Sequence, residues 1–159
     1  EVEIDKEETG GSLFDKLTVA GSEVILTTLK KLEEGTVTRT PQDHSKSTYA
    51  KMLDKKMGNI DFEKSAEEIE RLIRGLNPWP GGYTYYKGEV MKVWKAIPSD
   101  TMYQGEEGTL LEVNKDGILV KTSDGCLLIQ EIQMPNKKRM PVSEYIKGNT
   151  LEEGTVLGI

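Results

Sequence analysis

The sequence predicts an α+β chain whose C-terminal part is a small antiparallel OB-like β-barrel preceded by a helix. Three observations predict it. A helical pattern from Ser65 to Leu76 stops at Asn77-Pro78, because proline removes a backbone donor and disfavours helix in the residue before it. Beyond Pro80 the apolar residues change to strand-like runs, and glycine-containing turns separate those runs. Closing such strands into a barrel removes the exposed edges that would otherwise template aggregation.

The first element is a helix from Thr9 to Gly35. Ser12 is placed to cap it with Asp15 three residues on, and Leu13, Leu17, Ala20 and Val24 recur at spacings of three and four. Ile25, Leu29 and Leu32 continue the stripe, and Gly35 follows a polar last turn as a C-cap glycine. Gly21-Ser22 is a candidate break into two helices. The stripe Leu13, Leu17, Val24, Leu29 and Leu32 needs a partner surface, and without one it would favour self-association. Thr36 to Ser47 has no helical period and contains a proline, which suits a connector crossing a surface.

The second helix carries a capping box, Ser65 with Glu68, and an apolar stripe of Ile69, Leu72, Ile73 and Leu76. Strands are expected at Tyr83–Tyr86, Glu89–Ile97, Gly108–Val113, Ile118–Thr122 and Cys126–Gln133. Lys115-Asp116-Gly117 and Ser123-Asp124-Gly125 are hairpin signals, with Gly supplying a positive backbone angle. Ser143–Lys147 has the pattern of a last short helix before a terminal strand at Val156-Leu157. Lys92 and Lys95 fall on opposite faces of a regular strand, so at most one of them could join a given basic surface. Trp79, between Pro78 and Pro80, is expected to anchor the core where the helix turns into the sheet.

The 159 residues allow one or two domains. Charged residues make up 30% and no apolar run approaches the roughly 20 residues of a membrane span. A net charge of -6 means that any contact with a polyanion must come from a local basic face. The acidic start Glu1-Val2-Glu3-Ile4-Asp5 lacks the basic and apolar regions of a secretory signal and reads as a start inside a larger protein. Cys126 lies in an apolar run and reads as core filler in a reducing compartment.

Catalytic constellations are not expected in this stretch. One Cys and one His do not make the common zinc sites, and His44 falls in the connector, without a framework to position it. No glycine-rich loop links a strand to a helix in a nucleotide-binding form. Glu67, Glu68 and Glu70 sit at a helix start and on its outer face, and read as solvated.

Arg74-Gly75-Leu76-Asn77-Pro78-Trp79-Pro80-Gly81-Gly82-Tyr83-Thr84 resembles the RGLNPWPGAYT signature of the C-terminal domain of methionyl-tRNA formyltransferases. Around it, Ile60-Asp61-Phe62 with Ser65-Ala66 resembles the family's IDW..SA. Lys92-Val93-Trp94-Lys95-Ala96 resembles its KIWKA, and Lys137-Lys138-Arg139-Met140 its GKKRM. Upstream, Gly11-Ser12-Leu13-Phe14-Asp15-Lys16-Leu17 is similar to the GTLYDKL helix that closes the family's nucleotide-fold N-terminal domain, and Thr48-Tyr49-Ala50 is similar to its linker. Phe62, Gly82 and Lys56-Met57 depart mildly from the pattern.

The resemblance implies a C-terminal portion of an enzyme that moves a formyl group from 10-formyltetrahydrofolate to the methionyl amino group of initiator tRNA in the cytoplasm. It implies three segments: 1–40 as a helical remnant of the α/β formyltransferase domain, 41–60 as linker and 61–159 as the barrel domain. The family's Asn-x-His pair and Asp lie upstream of the matched segment, so no catalytic residue, metal site or bound cofactor is expected here. The expected partners are initiator methionyl-tRNA and the N-terminal formyltransferase domain. Lys55, Arg74, Lys95, Lys137, Lys138 and Arg139 are the candidate tRNA-binding residues, of which Lys137-Lys138-Arg139 reads as phosphate contact or as a solubilising loop. Alternatives are the C-terminal domain of an amino-sugar-nucleotide formyltransferase or formyltetrahydrofolate hydrolase, or a standalone nucleic-acid-binding OB-like module.

Overall fold

Thr9, rather than Ser12, starts the first helix in the computed structural model, which describes residues 1–158. Helix α1 spans Gly10–Glu33, and Thr9 and Ser12 form a reciprocal capping box at 3.1 and 3.0 Å. The expected break at Gly21-Ser22 does not occur. A glycine in a helix costs only about 1 kcal/mol relative to alanine, and the ladder runs through it, with the Ser22 hydroxyl donating back to the Thr18 carbonyl at 2.8 Å. No residue of α1 is buried. Residues 34 to 60 contain two short 3-10 turns, His44–Lys46 and Lys55–Gly58, and a parallel bridge from Asn59 to Tyr83.

Helix α2, Ala66–Gly75, begins with the Ser65 and Glu68 capping box and buries Ala66, Ile69 and Ile73. Six antiparallel strands follow: β1 Gly82–Tyr86, β2 Glu89–Ser99, β3 Leu110–Asn114, β4 Gly117–Lys121, β5 Cys126–Gln133 and β6 Met140–Pro141. Their order is β1-β2-β5-β4-β3, with β6 added to β5. A short helix α3, Val142–Tyr145, then turns back over the sheet. The core gathers Ile69 and Ile73 with Met91, Val93, Ile118, Val120, Leu127, Ile129 and Ile132. Cys126 is buried there, and burial pushes its thiol pKa up, as a core filler requires.

The sheet is open, which corrects the expectation of closure: among the described residues no ladder joins β1 to β3. The C-terminal segment lies across that gap instead. Leu110 donates to the Thr155 carbonyl at 2.8 Å, Leu157 to Gly108 at 2.9 Å and Gly158 to Tyr85 at 2.9 Å. The edges are thus met by scattered backbone hydrogen bonds rather than by a continuous ladder, another way of protecting unpaired backbone groups. The expected strand at Val156-Leu157 is reduced to a single bridge between Thr109 and Val156.

Both hairpin turns form, although for different reasons. Gly117 has φ +151°, and a Cβ there would stand 2.4 Å from the Ile129 carbonyl oxygen. Gly125 has no such angle; what it avoids is contact with the Ser99 carbonyl, 3.1 Å from the Cβ it lacks. Trp79 is the other correction. It is 57% exposed, and the corner after α2 is filled instead by the buried Leu76 and Ile73.

Candidate nucleic-acid interface

A β-bulge in β2 decides which side chains share a surface. Met91, Val93 and Ala96 are buried, so the inward positions are two and then three residues apart, and the pairing register slips on either side of Lys95. One residue on each strand, Trp94 on β2 and Gln130 on β5, has no partner in the ladder, and this irregularity restarts the alternation. Lys92 and Lys95 are consequently both exposed on the outer side, which overturns the expectation that a regular strand would part them. Lys92 stands opposite Gln133 and Lys95 opposite Glu131.

Trp94 lies between these two lysines and is half-buried. The Lys92 ammonium and the Arg139 guanidinium both stand over its ring, 5.7 and 5.1 Å from the centroid. Its indole N–H donates to Gln133 Oε1 at 3.2 Å, and the Gln133 amide donates in turn to the Lys137 carbonyl at 3.1 Å. Strand β2 is thereby tied to the turn that carries Lys137, Lys138 and Arg139.

That turn is held from two other sides. Lys137 Nζ donates to Asn149 Oδ1 at 2.8 Å and sits 5.3 Å over the ring of Tyr145, whose phenol burial pushes up in pKa. Arg139 pairs with Glu131, with Nε 2.8 Å from the carboxylate. Lys138 is exposed, two residues before β6. Lys92, Lys95 and Arg139 thus surround Trp94, with Glu131 among them, and the turn that follows β5 adds Lys137 and Lys138 next to Arg139 in the chain.

Two of the expected residues lie elsewhere or are already engaged. Arg74 pairs with Glu70 at 2.8 Å and donates to the Glu8 carbonyl at 2.6 Å, with its side chain 22% exposed. It ties α2 to the segment before α1, and Glu70 is an ion-pair partner rather than a solvated carboxylate. Lys55 sits in the turn Lys55–Gly58, beside β1 and not on the basic face. Lys95 and Arg139 line one cleft with Trp94, Lys137 turns its ammonium to Asn149 and Tyr145, and Lys138 is exposed on the same turn. Sequence reasoning missed Trp94 and Gln133, and set Lys92 aside. The Lys-Val-Trp-Lys spacing was the only signal, and it is legible only once the bulge is known.

A cleft of about 160 Å³ opens beside this face, lined by Glu7, Glu70, Arg74, Trp94, Lys95 and Arg139 among others. Glu8 stands near it, accepting from Ser12 and Lys16. The Lys16 ammonium first, and the Ser12 hydroxyl second, hold the Glu8 carboxyl below its ordinary range. These ion pairs anchor only the start of α1.

Residues 52–150 match the formyl transferase C-terminal domain family. The methionyl-tRNA formyltransferase of Clostridioides difficile is 52% identical over 99% of this chain and 51% of its own length. That of Acetivibrio thermocellus is 46% identical with the same coverage. The chain thus spans about half the length of these curated relatives. Among solved structures, a HypX variant from Aquifex aeolicus superposes with a TM-score of 0.64 at 19% identity, over 91% of this chain and 27% of that one. HypX in complex with tetrahydrofolic acid superposes with a TM-score of 0.56 at 20% identity, over 79% and 22%. Those two likenesses concern the fold.

Proposed function

The chain belongs to the formyl transferase C-terminal domain family, and on that premise we propose that it is the RNA-gripping portion of a methionyl-tRNA formyltransferase. The whole enzyme moves a formyl group from 10-formyltetrahydrofolate to the methionyl amino group of initiator tRNA in the cytoplasm. Folate is a substrate of the whole enzyme in this reading, and no residue of this chain is assigned to it. Formyl transfer needs an oxyanion stabiliser and a base for the amine proton. We assign both to the formyltransferase domain, together with recognition of the acceptor end.

The observation that carries the reading is the basic face gathered by the β2 bulge on a chain with a net charge of -6. Overall repulsion of a polyanion makes a local cluster of this kind the place where phosphates bind. Lys95, Lys137, Lys138 and Arg139 contact the tRNA backbone, and Lys92 joins them. Arg74 serves the interface indirectly, by holding α2 against the N-terminal segment, and Lys55 touches RNA only where the linker runs past it. Contacts of this type supply affinity and orientation rather than sequence readout.

The domain reading goes with it: 1–40 is the trailing helical part of the formyltransferase domain, 41–60 a linker, and 61–159 an OB-like, partly open barrel. The α1 stripe packs on the rest of that formyltransferase domain, and in its absence pairs with a second copy. Sedimentation at high concentration tests the pairing, which a clean monomer would rule out. The relatives' names favour neither the amino-sugar-nucleotide and hydrolase readings nor a standalone module.

The test of RNA binding is titration of the chain with initiator tRNA at low and moderate salt. Binding should weaken steeply with salt. Replacing Lys137, Lys138 and Arg139 together by Ala should flatten the logarithmic salt dependence by about two to three. Binding that is unchanged in the triple variant would remove the cluster from the interface.

A further inference from the structure

We propose that Trp94, acting with Gln133, is a positioning residue for RNA: it holds Lys92 and the Lys137–Arg139 turn as one fixed cationic row. This deepens the RNA reading above and rests on it. The geometry is that of a bracket. Two cations from different elements, Lys92 on β2 and Arg139 before β6, stand over one indole ring at 5.7 and 5.1 Å, where the negative ring face attracts them. The edge of the same indole works through Gln133, with hydrogen bonds of 3.2 and 3.1 Å leading to the Lys137 carbonyl.

A free turn of basic residues would bind phosphate only after losing its rotamer and backbone freedom. Here much of that ordering precedes binding. The turn bends through Asn136 at φ +58°, and its far side rests on Asn149 and Tyr145. Lys138 is left to project from a turn whose neighbours are held. The alternative use of Trp94, as a platform for stacking a base, is disfavoured because cations occupy its ring and the side chain is half-buried.

The decisive variants are Trp94→Leu, which removes both ring face and N–H, and Trp94→Phe, which keeps the face and removes the donor. Gln133→Leu breaks the second link. In titrations of initiator tRNA against salt, Trp94→Leu should flatten the logarithmic salt dependence by about one to two although no charge has been removed. Trp94→Phe should fall between it and the native chain. Lys92→Ala should weaken binding less in the Trp94→Leu background than in the native one, because Lys92 is already misplaced there.

A merely structural tryptophan would lower the fraction of competent protein and leave the salt dependence and the Lys92 effect unchanged; that result overturns the proposal. A second readout needs no RNA. Amide exchange of Lys137, whose N–H donates to the Met134 carbonyl at 3.1 Å, should speed up in Trp94→Leu and Gln133→Leu, and unchanged protection there overturns the proposal by itself. If the native chain fails to bind tRNA, the RNA reading falls, while the exchange data still decide whether Trp94 holds the turn.

Discussion

Helices α1 and α2 begin alike and end in opposite situations. Each opens with a reciprocal capping box, Thr9 with Ser12 and Ser65 with Glu68. Yet α1 buries none of its 24 residues, whereas α2, with 10, buries Ala66, Ile69 and Ile73 against the sheet. Capping is local chemistry that a few residues can specify. Burial depends on what stands opposite the apolar stripe, and here that differs completely between the two. Only the first turn of α1 is docked, where Gly11 donates to the Asn77 carbonyl at 2.8 Å and a Cβ on Gly10 would stand 2.3 Å from the Gly75 oxygen.

The contrast is tested most severely by truncating one apolar side chain in each helix. Ile69→Ala should cost about 2–5 kcal/mol by urea denaturation, from lost burial and the cavity left behind. Leu26→Ala, at a side chain 69% exposed, should stay within about 0.5 kcal/mol. Equal losses would mean that α1 is covered in solution.

Glycines give the next effect. Gly117→Ala should destabilise the sheet by about 1–3 kcal/mol, since φ +151° and the Ile129 carbonyl both oppose a Cβ. Gly21→Ala, with open space around it, should instead raise α1 helicity by about 0.5–1 kcal/mol of propensity, visible by circular dichroism. A loss of helicity there would show that Gly21 touches something.

The caps follow. Ser65→Ala should lower global stability by about 1 kcal/mol, whereas Thr9→Ala should leave the urea midpoint in place and appear only as faster amide exchange in the first turn of α1. A common shift in both variants would join the two helices into one cooperative unit.

The smallest effect is a pH response confined to α1. The folded-state pKa of Glu8 is depressed, first by Lys16 and then by Ser12. Its contribution is therefore complete above the ordinary glutamate value of 4.5 and is lost as pH falls through the lower folded value. Lys16 is raised, by Asp5 and Glu8, so its share is lost only as pH climbs past its ordinary 10.5 through the raised value. Amide protection of residues 9 to 16, taken relative to the intrinsic exchange rate at each pH, should fall in acid while that of β5 does not, and Glu8→Gln should abolish the acid dependence.

Much of the molecule was legible in its residues, because the signals concerned were local. The capping box at Ser65, the stop at Asn77-Pro78, the five main strands and the turns at Gly117 and Gly125 are set by neighbours in the chain, through periodicity, backbone sterics and short hydrogen bonds. The signature from Arg74 to Thr84 pointed to the right family for a different reason: eleven ordered residues are hard to match by accident. The Lys137-Lys138-Arg139 cluster was visible as charge.

Tertiary structure alone decided which charges share a surface and which aromatic ring serves them. Lys92 and Lys95 came together because Trp94 on β2 and Gln130 on β5 both drop out of the pairing, an irregularity that belongs to the pair and cannot be read from either strand. The open sheet was settled by a C-terminal segment lying across a gap created some fifty residues earlier in the chain. Trp79 turned outward and Trp94 became the hub. An indole suits a core and a surface equally well, and only the groups brought beside it by the fold select between the two.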